Sequence, residues 1–169
     1  ADKICEAFYK SYSIPIVTIR PFNTYGPRQS PRAIIPTIIL QLIRNDRLEL
    51  GNLEPKRDFT YVKDTINGLL LGGIANAIGE EINLGSGTQI SIRELAKLIM
   101  KIMSKECEIV IDKKRIRPKE SDVMSLISDN KKAREILGWK PKIGLEEGLK
   151  LTINWFKENE KEYEDTYYL

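Results

Sequence analysis

Apolar positions recur along this chain in two rhythms, and their alternation predicts the elements. Ile4, Ala7 and Phe8 fall on one side of a helix in the opening stretch ADKICEAFYKSY. After a break at Ser13 to Pro15, the run IPIVTIR is apolar and β-branched, and short enough for a strand covered on both faces. RAIIPTIILQLIRND predicts an apolar helix that tolerates Pro36 only in its first turn, and RLELG a short strand ended by Gly51. NLEPKRDFTYV reads as a turn into a further strand. The next helix, VKDTINGLLLGGIANA, carries its period through Ile66, Leu69, Leu70 and Ile74, with Gly72 and Gly73 weakening its later part. EEINLGSGTQIS gives a strand and a Gly-rich turn. Ser91 with Glu94 three positions on makes a capping-box pattern for IRELAKLIMKIM. CEIVID is a strand; Asp129 is expected to cap NKKAREIL, Gly138 to stop it, and LEEGLKLTINWFKENE to supply the last helix. Helices alternating with short strands, one of them fully apolar, predict an α/β architecture.

Composition narrows the function classes. The 169 residues are 41% hydrophobic and 30% charged, enough for an ordinary globular core and too balanced for disorder. The net charge of +3 is spread along the chain among acidic residues, a weak footprint for nucleic acid. With no His, and with Cys5 and Cys107 far apart, His-based metal, triad and acid/base chemistry is excluded and no metal site is expected. No apolar run reaches the ~18 residues that span a bilayer, so no membrane partner is expected, and a reducing, cytoplasmic setting is. The first helix opens at Ala1 without a capping residue or entry turn. It reads as a helix entered part-way, so the chain is expected to be the later part of something longer, although a vector remnant would look the same.

The candidate chemistry lies in loops. NLGSG follows a strand but matches neither the dinucleotide fingerprint nor the P-loop. Three loops set Arg beside Pro or Asp: Arg28 and Arg32 in GPRQSPR, Arg57 in PKRDF, Arg115 and Arg117 in KKRIRPK. The planar guanidinium fork suits phosphate, and two converging Arg would suit a diphosphate; solvated Arg in weak surface pairs is the competing reading. Tyr61, Trp139 and Trp155 invite base stacking, but aromatic residues at such positions are more often core.

Five blocks in order, RPFNTYGPRQSPRAIIP, RDFTYVKDTINGLLLG, INLGSGTQISIRELA, RIRPKESDV and SDNKKAREILGWKPKIGLEEGL, make the chain resemble the C-terminal half of extended short-chain dehydrogenase/reductase enzymes acting on nucleotide sugars. Within them it looks most like the NAD-dependent 4,6-dehydratases and the related 4-epimerases. The long RPKESDV loop and Arg28-Gln29 look more like the N-acetylhexosamine-type dehydratases than the dTDP-glucose type.

The resemblance implies the later part of a doubly wound, Rossmann-type NAD-binding sheet in residues 1–28 and 58–86, and a small α/β nucleotide-sugar-binding domain in 29–57 and 87–169. It implies that the family's Tyr-x-x-x-Lys pair, Gly-rich loop, assisting Ser/Thr and Asp-Glu pair precede this chain, which then carries no catalytic residue and would be inactive alone. Pro21, Phe22 and Thr24 match positions lining the nicotinamide end of NAD, and Asn23 the residue meeting the substrate diphosphate. Ala33 and Ile34 match the loop closing over the nucleotide, Leu48 and Leu50 a strand against the base, and Arg57 and Arg117 two phosphate-binding Arg. Ser91 falls near a base- or phosphate-side contact, against which the capping reading stands. The implied partners are a nucleoside diphosphate sugar and the missing N-terminal half. A sheet lacking its first strands would expose an apolar face and an edge, so self-association or a homo-oligomer is expected.

Overall fold

The structure is a computed structural model that describes residues 1–116, 118 and 122–163. In chain order the elements are α1 (Asp2–Tyr12), β1 (Thr18–Pro21), β2 (Thr24–Tyr25), α2 (Ile34–Arg44), β3 (Arg47–Leu50), β4 (Lys56–Arg57), β5 (Thr60–Tyr61) and α3 (Val62–Ile74). They continue with β6 (Glu81–Leu84), β7 (Ile90–Ser91), α4 (Ile92–Met103), β8 (Glu108–Ile111), β9 (Ser125–Leu126), α5 (Lys131–Leu137) and α6 (Leu145–Glu158). Two compact units result. The first takes residues 1–24, 58–88 and 127–143, and the second the described parts of 25–57, 89–126 and 144–169.

The first unit is organised by β1 and β6, which run parallel with Ile19 opposite Ile82 and Pro21 opposite Leu84. Ile82, Leu84, Ala133, Leu137 and Trp139 form its core, with Ile19 and Leu71 packed against it. Close packing of α3 on this core requires glycine: a Cβ on Gly68 would lie 2.4 Å from a Leu84 methyl, and one on Gly72 2.9 Å from Ile19 Cδ1. Two carboxylates tie residues 127–143 in. Asp58 accepts the Ser128 N–H at 3.0 Å. Asp64 accepts the Ile143 N–H at 2.9 Å, and its main-chain carbonyl the Trp139 indole N–H at 2.9 Å. The sequence reading groups 127–143 with the second unit; these long-range bonds are why the fold does not.

Two further expectations change here. β1 is only partly buried and Pro21 is exposed, because among the described residues it is paired along one edge alone. In α3 the buried positions are Asp64, Thr65, Gly68 and Gly72, whereas Ile66, Leu69, Leu70 and Ile74 are 46–82% exposed. The small residues face inward because they alone permit the approach to Leu84 and Ile19. At α5 the N-cap is Asn130, with Asp129 Oδ1 accepting the Lys131 N–H at 3.0 Å, and Gly138 ends the helix at φ +61°.

The second unit packs α2, α4 and α6 together, with α2 also against β3, burying Ile38, Ile39, Leu42, Leu95, Ile99, Leu149, Ile153 and Phe156. Pro36 sits in the first turn of α2, where its missing N–H costs no helical bond. β3 runs parallel to β8, and its other edge is closed by Gln41, whose amide donates to the Glu49 carbonyl at 3.0 Å and accepts the Glu49 N–H at 2.7 Å. β4 lies between antiparallel β7 and parallel β9. Among the described residues no helix is long and apolar enough to cross a membrane, and no acidic, Cys or His cluster could hold a metal ion.

Candidate functional site

In the first unit the candidate residues lie where β1 ends. The Phe22 N–H donates to the Leu84 carbonyl at 2.8 Å, so the 22–24 loop leaves the sheet beside the turn that follows β6. Both loops sit at the carboxyl ends of parallel strands, where open α/β sheets bind their ligands. Asn23, half-buried, donates one amide hydrogen to the Asp58 main-chain carbonyl at 2.8 Å, leaving the second hydrogen and its carbonyl oxygen for a ligand. Thr24 shares a 3.0 Å hydrogen bond with the buried Thr65 hydroxyl. Phe22 is half-buried and Pro21 exposed. Beside the loop, Thr60 donates its N–H to the Asn23 carbonyl at 3.2 Å, while its buried hydroxyl has no hydrogen-bond partner among the described residues. A polar ligand edge would satisfy that group, an observation that fits a nicotinamide end here.

Asp58, fully buried, joins the two loops. Its Oδ1 accepts the Ser86 N–H at 2.8 Å and hydroxyl at 2.6 Å, and its Oδ2 accepts the Gly87 N–H and the Ser128 N–H, each at 3.0 Å. A carboxylate can be buried this way because four donors replace its water. Gly87 holds φ +75°, and a Cβ on Gly85 would lie 2.2 Å from Ser128 Cβ, so this turn is shaped for close approach. The PKRDF stretch marks Asp58 only as the neighbour of Arg57, because its partners lie 28 to 70 positions away.

In the second unit Arg57 is mostly covered, its side chain 17% exposed. One guanidinium nitrogen donates to the Lys56 carbonyl at 2.9 Å, and another stands 3.8 Å from Asp122, whose carboxylate accepts the Asn52 amide at 2.7 Å. That long contact leaves guanidinium capacity for an anion. Ala33 and Ile34 are half-buried at the start of α2. Leu48 and Leu50 are 0% and 1% exposed, so what they can offer a ligand is main chain. Ser91 donates its hydroxyl to Glu94 at 2.6 Å and accepts the Glu94 N–H at 3.2 Å. Its hydroxyl is thereby spent on the cap, and these bonds hold the Glu94 carboxyl below its ordinary value. Arg115 is held by Asp112 at 3.2 Å beside a polar cavity of about 320 Å³ lined by Gln41, Asn45, Arg47 and Glu49, so Arg57 and Arg115 answer to different carboxylates. Arg117 lies outside the described residues. Tyr61 and Trp139 are core, at 3% and 1% exposure, as expected, and burial pushes the Tyr61 phenol up.

Residues 1–152 match the family described as GDP-mannose 4,6 dehydratase. The chain is 32% identical over 160 residues to UDP-glucuronic acid decarboxylase 1 of Xenopus tropicalis, covering 93% of this chain and 37% of that one. Its fold superimposes on UDP-glucose 4-epimerase from Thermotoga maritima, solved with UDP-glucose, at TM-score 0.86 and 33% identity, covering 94% of this chain and 51% of that one. On dTDP-glucose 4,6-dehydratase from Bacillus anthracis, solved with NAD, the TM-score is 0.84 at 27% identity, covering 95% and 50%. The chain spans about half the length of the curated relatives it matches.

Proposed function

We infer that this chain, which belongs to the extended short-chain dehydrogenase/reductase family of nucleotide-sugar dehydratases and epimerases and has its Rossmann-type α/β fold, is the substrate-binding part of an NAD-dependent nucleotide-sugar 4,6-dehydratase. The observation that carries the reading is the meeting of the Asn23 loop and the Gly85–Thr88 turn at the carboxyl ends of β1 and β6, joined through Asp58. Asn23 contacts the diphosphate, donating without adding a charge near a cationic ring, while Arg57 supplies a charged fork and Arg117 a second. Ala33 and Ile34 close over the nucleotide, and the main chain at Leu48 and Leu50 meets the base. Pro21, Phe22 and Thr24 line the nicotinamide end of the cofactor. NAD, when bound, would supply hydride-transfer chemistry at the sugar C4; this chain's residues bind and orient the sugar nucleotide, and proton transfer would fall to groups outside it. The two free cysteines fit a reducing cytoplasm.

Calorimetric titration of the 169-residue chain with UDP-glucose and with dTDP-glucose tests the reading. Saturable binding that Arg57→Ala weakens about tenfold or more is expected, one charge-assisted bidentate contact being worth roughly that. No heat at millimolar ligand, or turnover by the chain and NAD without another polypeptide, would count against it. A 4-epimerase is the second reading, supported by the 33% identity to the Thermotoga epimerase. Product analysis of the full-length protein separates them: a 4-keto-6-deoxy sugar nucleotide or a C4-inverted one.

A further inference from the structure

We propose that Asp58 is a positioning residue for the substrate diphosphate, acting through Asn23. The inference rests on the reading of Asn23 as a diphosphate contact. Asp58 touches Asn23 only through its main-chain carbonyl, at 2.8 Å, so the direction of the Asn23 carboxamide follows the orientation of the 58–59 peptide. That orientation is fixed from the side chain. The carboxylate takes four hydrogen bonds from Ser86, Gly87 and Ser128 and is wholly enclosed, so residue 58 cannot rotate without breaking contacts to two other segments. A second main-chain link, from the Thr60 N–H to the Asn23 carbonyl, holds residue 23 from its other side. The amide thus stands aimed before a ligand arrives, and Ser86 is the outer member of the same relay. An acceptor-only group is required at residue 58, because every group facing its two oxygens is a donor.

The test uses the 169-residue chain, ¹⁵N-labelled, with Asp58→Asn, Ser86→Ala, Asn23→Ala and the Asp58→Asn/Asn23→Ala double variant. In Asp58→Asn the Asn23 side-chain amide signal should move to the position of a solvated carboxamide, while the dispersed backbone signals of β1 and β6 persist. Ser86→Ala, which removes one donor and keeps the peptide, should give a smaller shift in the same direction and serves if Asp58→Asn fails to fold. UDP-glucose should bind about tenfold more weakly to each of Asp58→Asn and Asn23→Ala, and no more weakly to the double variant. An Asn23 signal unmoved in both Asp58→Asn and Ser86→Ala, or losses that multiply in the double variant, would overturn the proposal. If Asn23→Ala binds as the parent does, the diphosphate reading itself falls and takes the ligand half of the proposal with it, whereas the amide signal still decides whether Asp58 orients Asn23.

Discussion

Gly68 and Gly73 stand five positions apart in α3 and are there for opposite reasons. Alanine is the better helix former by about 1 kcal/mol, so in open space a glycine-to-alanine change stabilises. Gly73 is such a place, with nothing within 4 Å of an added Cβ, and Gly73→Ala should stabilise by up to about 0.5 kcal/mol, the gain being reduced near the helix end. At Gly68 the added carbon would lie 2.4 Å from one Leu84 methyl and 2.8 Å from the other. Overpacking a closed core costs about 1–3 kcal/mol, which outweighs the propensity gain, so Gly68→Ala should destabilise by about 1–2 kcal/mol in urea unfolding. From the sequence, glycines in this helix read only as weakening it. Which of them touches Leu84 depends on β6, and that dependence spans 16 positions of chain. The partners of Asp58 were illegible for the same reason, although Asp58 lies in the block that marks Arg57.

At the scale of the element, local signals carried over and long-range ones did not. The Ser91–Glu94 box is present with both of its reciprocal bonds, because a cap needs only residues three apart. Ser91→Ala should cost about 1 kcal/mol at neutral pH. Glu94 has its pKa lowered in the fold, first by the Ser91 hydroxyl, so its contribution is full above the ordinary carboxylate value of 4.5 and is lost as pH falls through the lowered one. The difference between the parent and Ser91→Ala should therefore shrink on acidification from pH 6 toward pH 3, as followed by circular dichroism; a constant difference would mean that Glu94 does not share in the cap. The long helices and the four-residue strands were legible from period and turn residues. Of the two-residue strands, β4 and β5 fall where one further strand is expected in NLEPKRDFTYV, whereas β2, β7 and β9 were not legible, since so short a strand exists only through its partner. In α3 the helical period of Ile66, Leu69, Leu70 and Ile74 marks an apolar stripe that does not meet the core, because Gly68 and Gly72 on the other side make the close approach to Leu84 and Ile19.

For the whole molecule, that stripe sets the behaviour in solution. From Thr65 to Gly79 the sequence has no charged residue, and Ile66, Leu69, Leu70 and Ile74 stand exposed. Contiguous apolar surface of this kind drives association, so the isolated chain should form dimers or larger species at about 100 µM, and Leu70→Lys should lower its mass in light scattering. A parent chain that stays monomeric would refute this. The division into two units was only partly legible: the chain crosses between them five times, and the assignment of 127–143 rests on Asp58 and Asp64 reaching across about 70 positions or more. The aromatic residues turn this division into an optical property. Trp139 is enclosed in the first unit with its indole N–H bonded to Asp64, and Trp155 lies in the second, edge-on to Phe156 and Tyr163. The chain contains no other tryptophan, so each unit has its own intrinsic fluorophore, and Trp155→Phe leaves emission that reports the melting of the first unit alone.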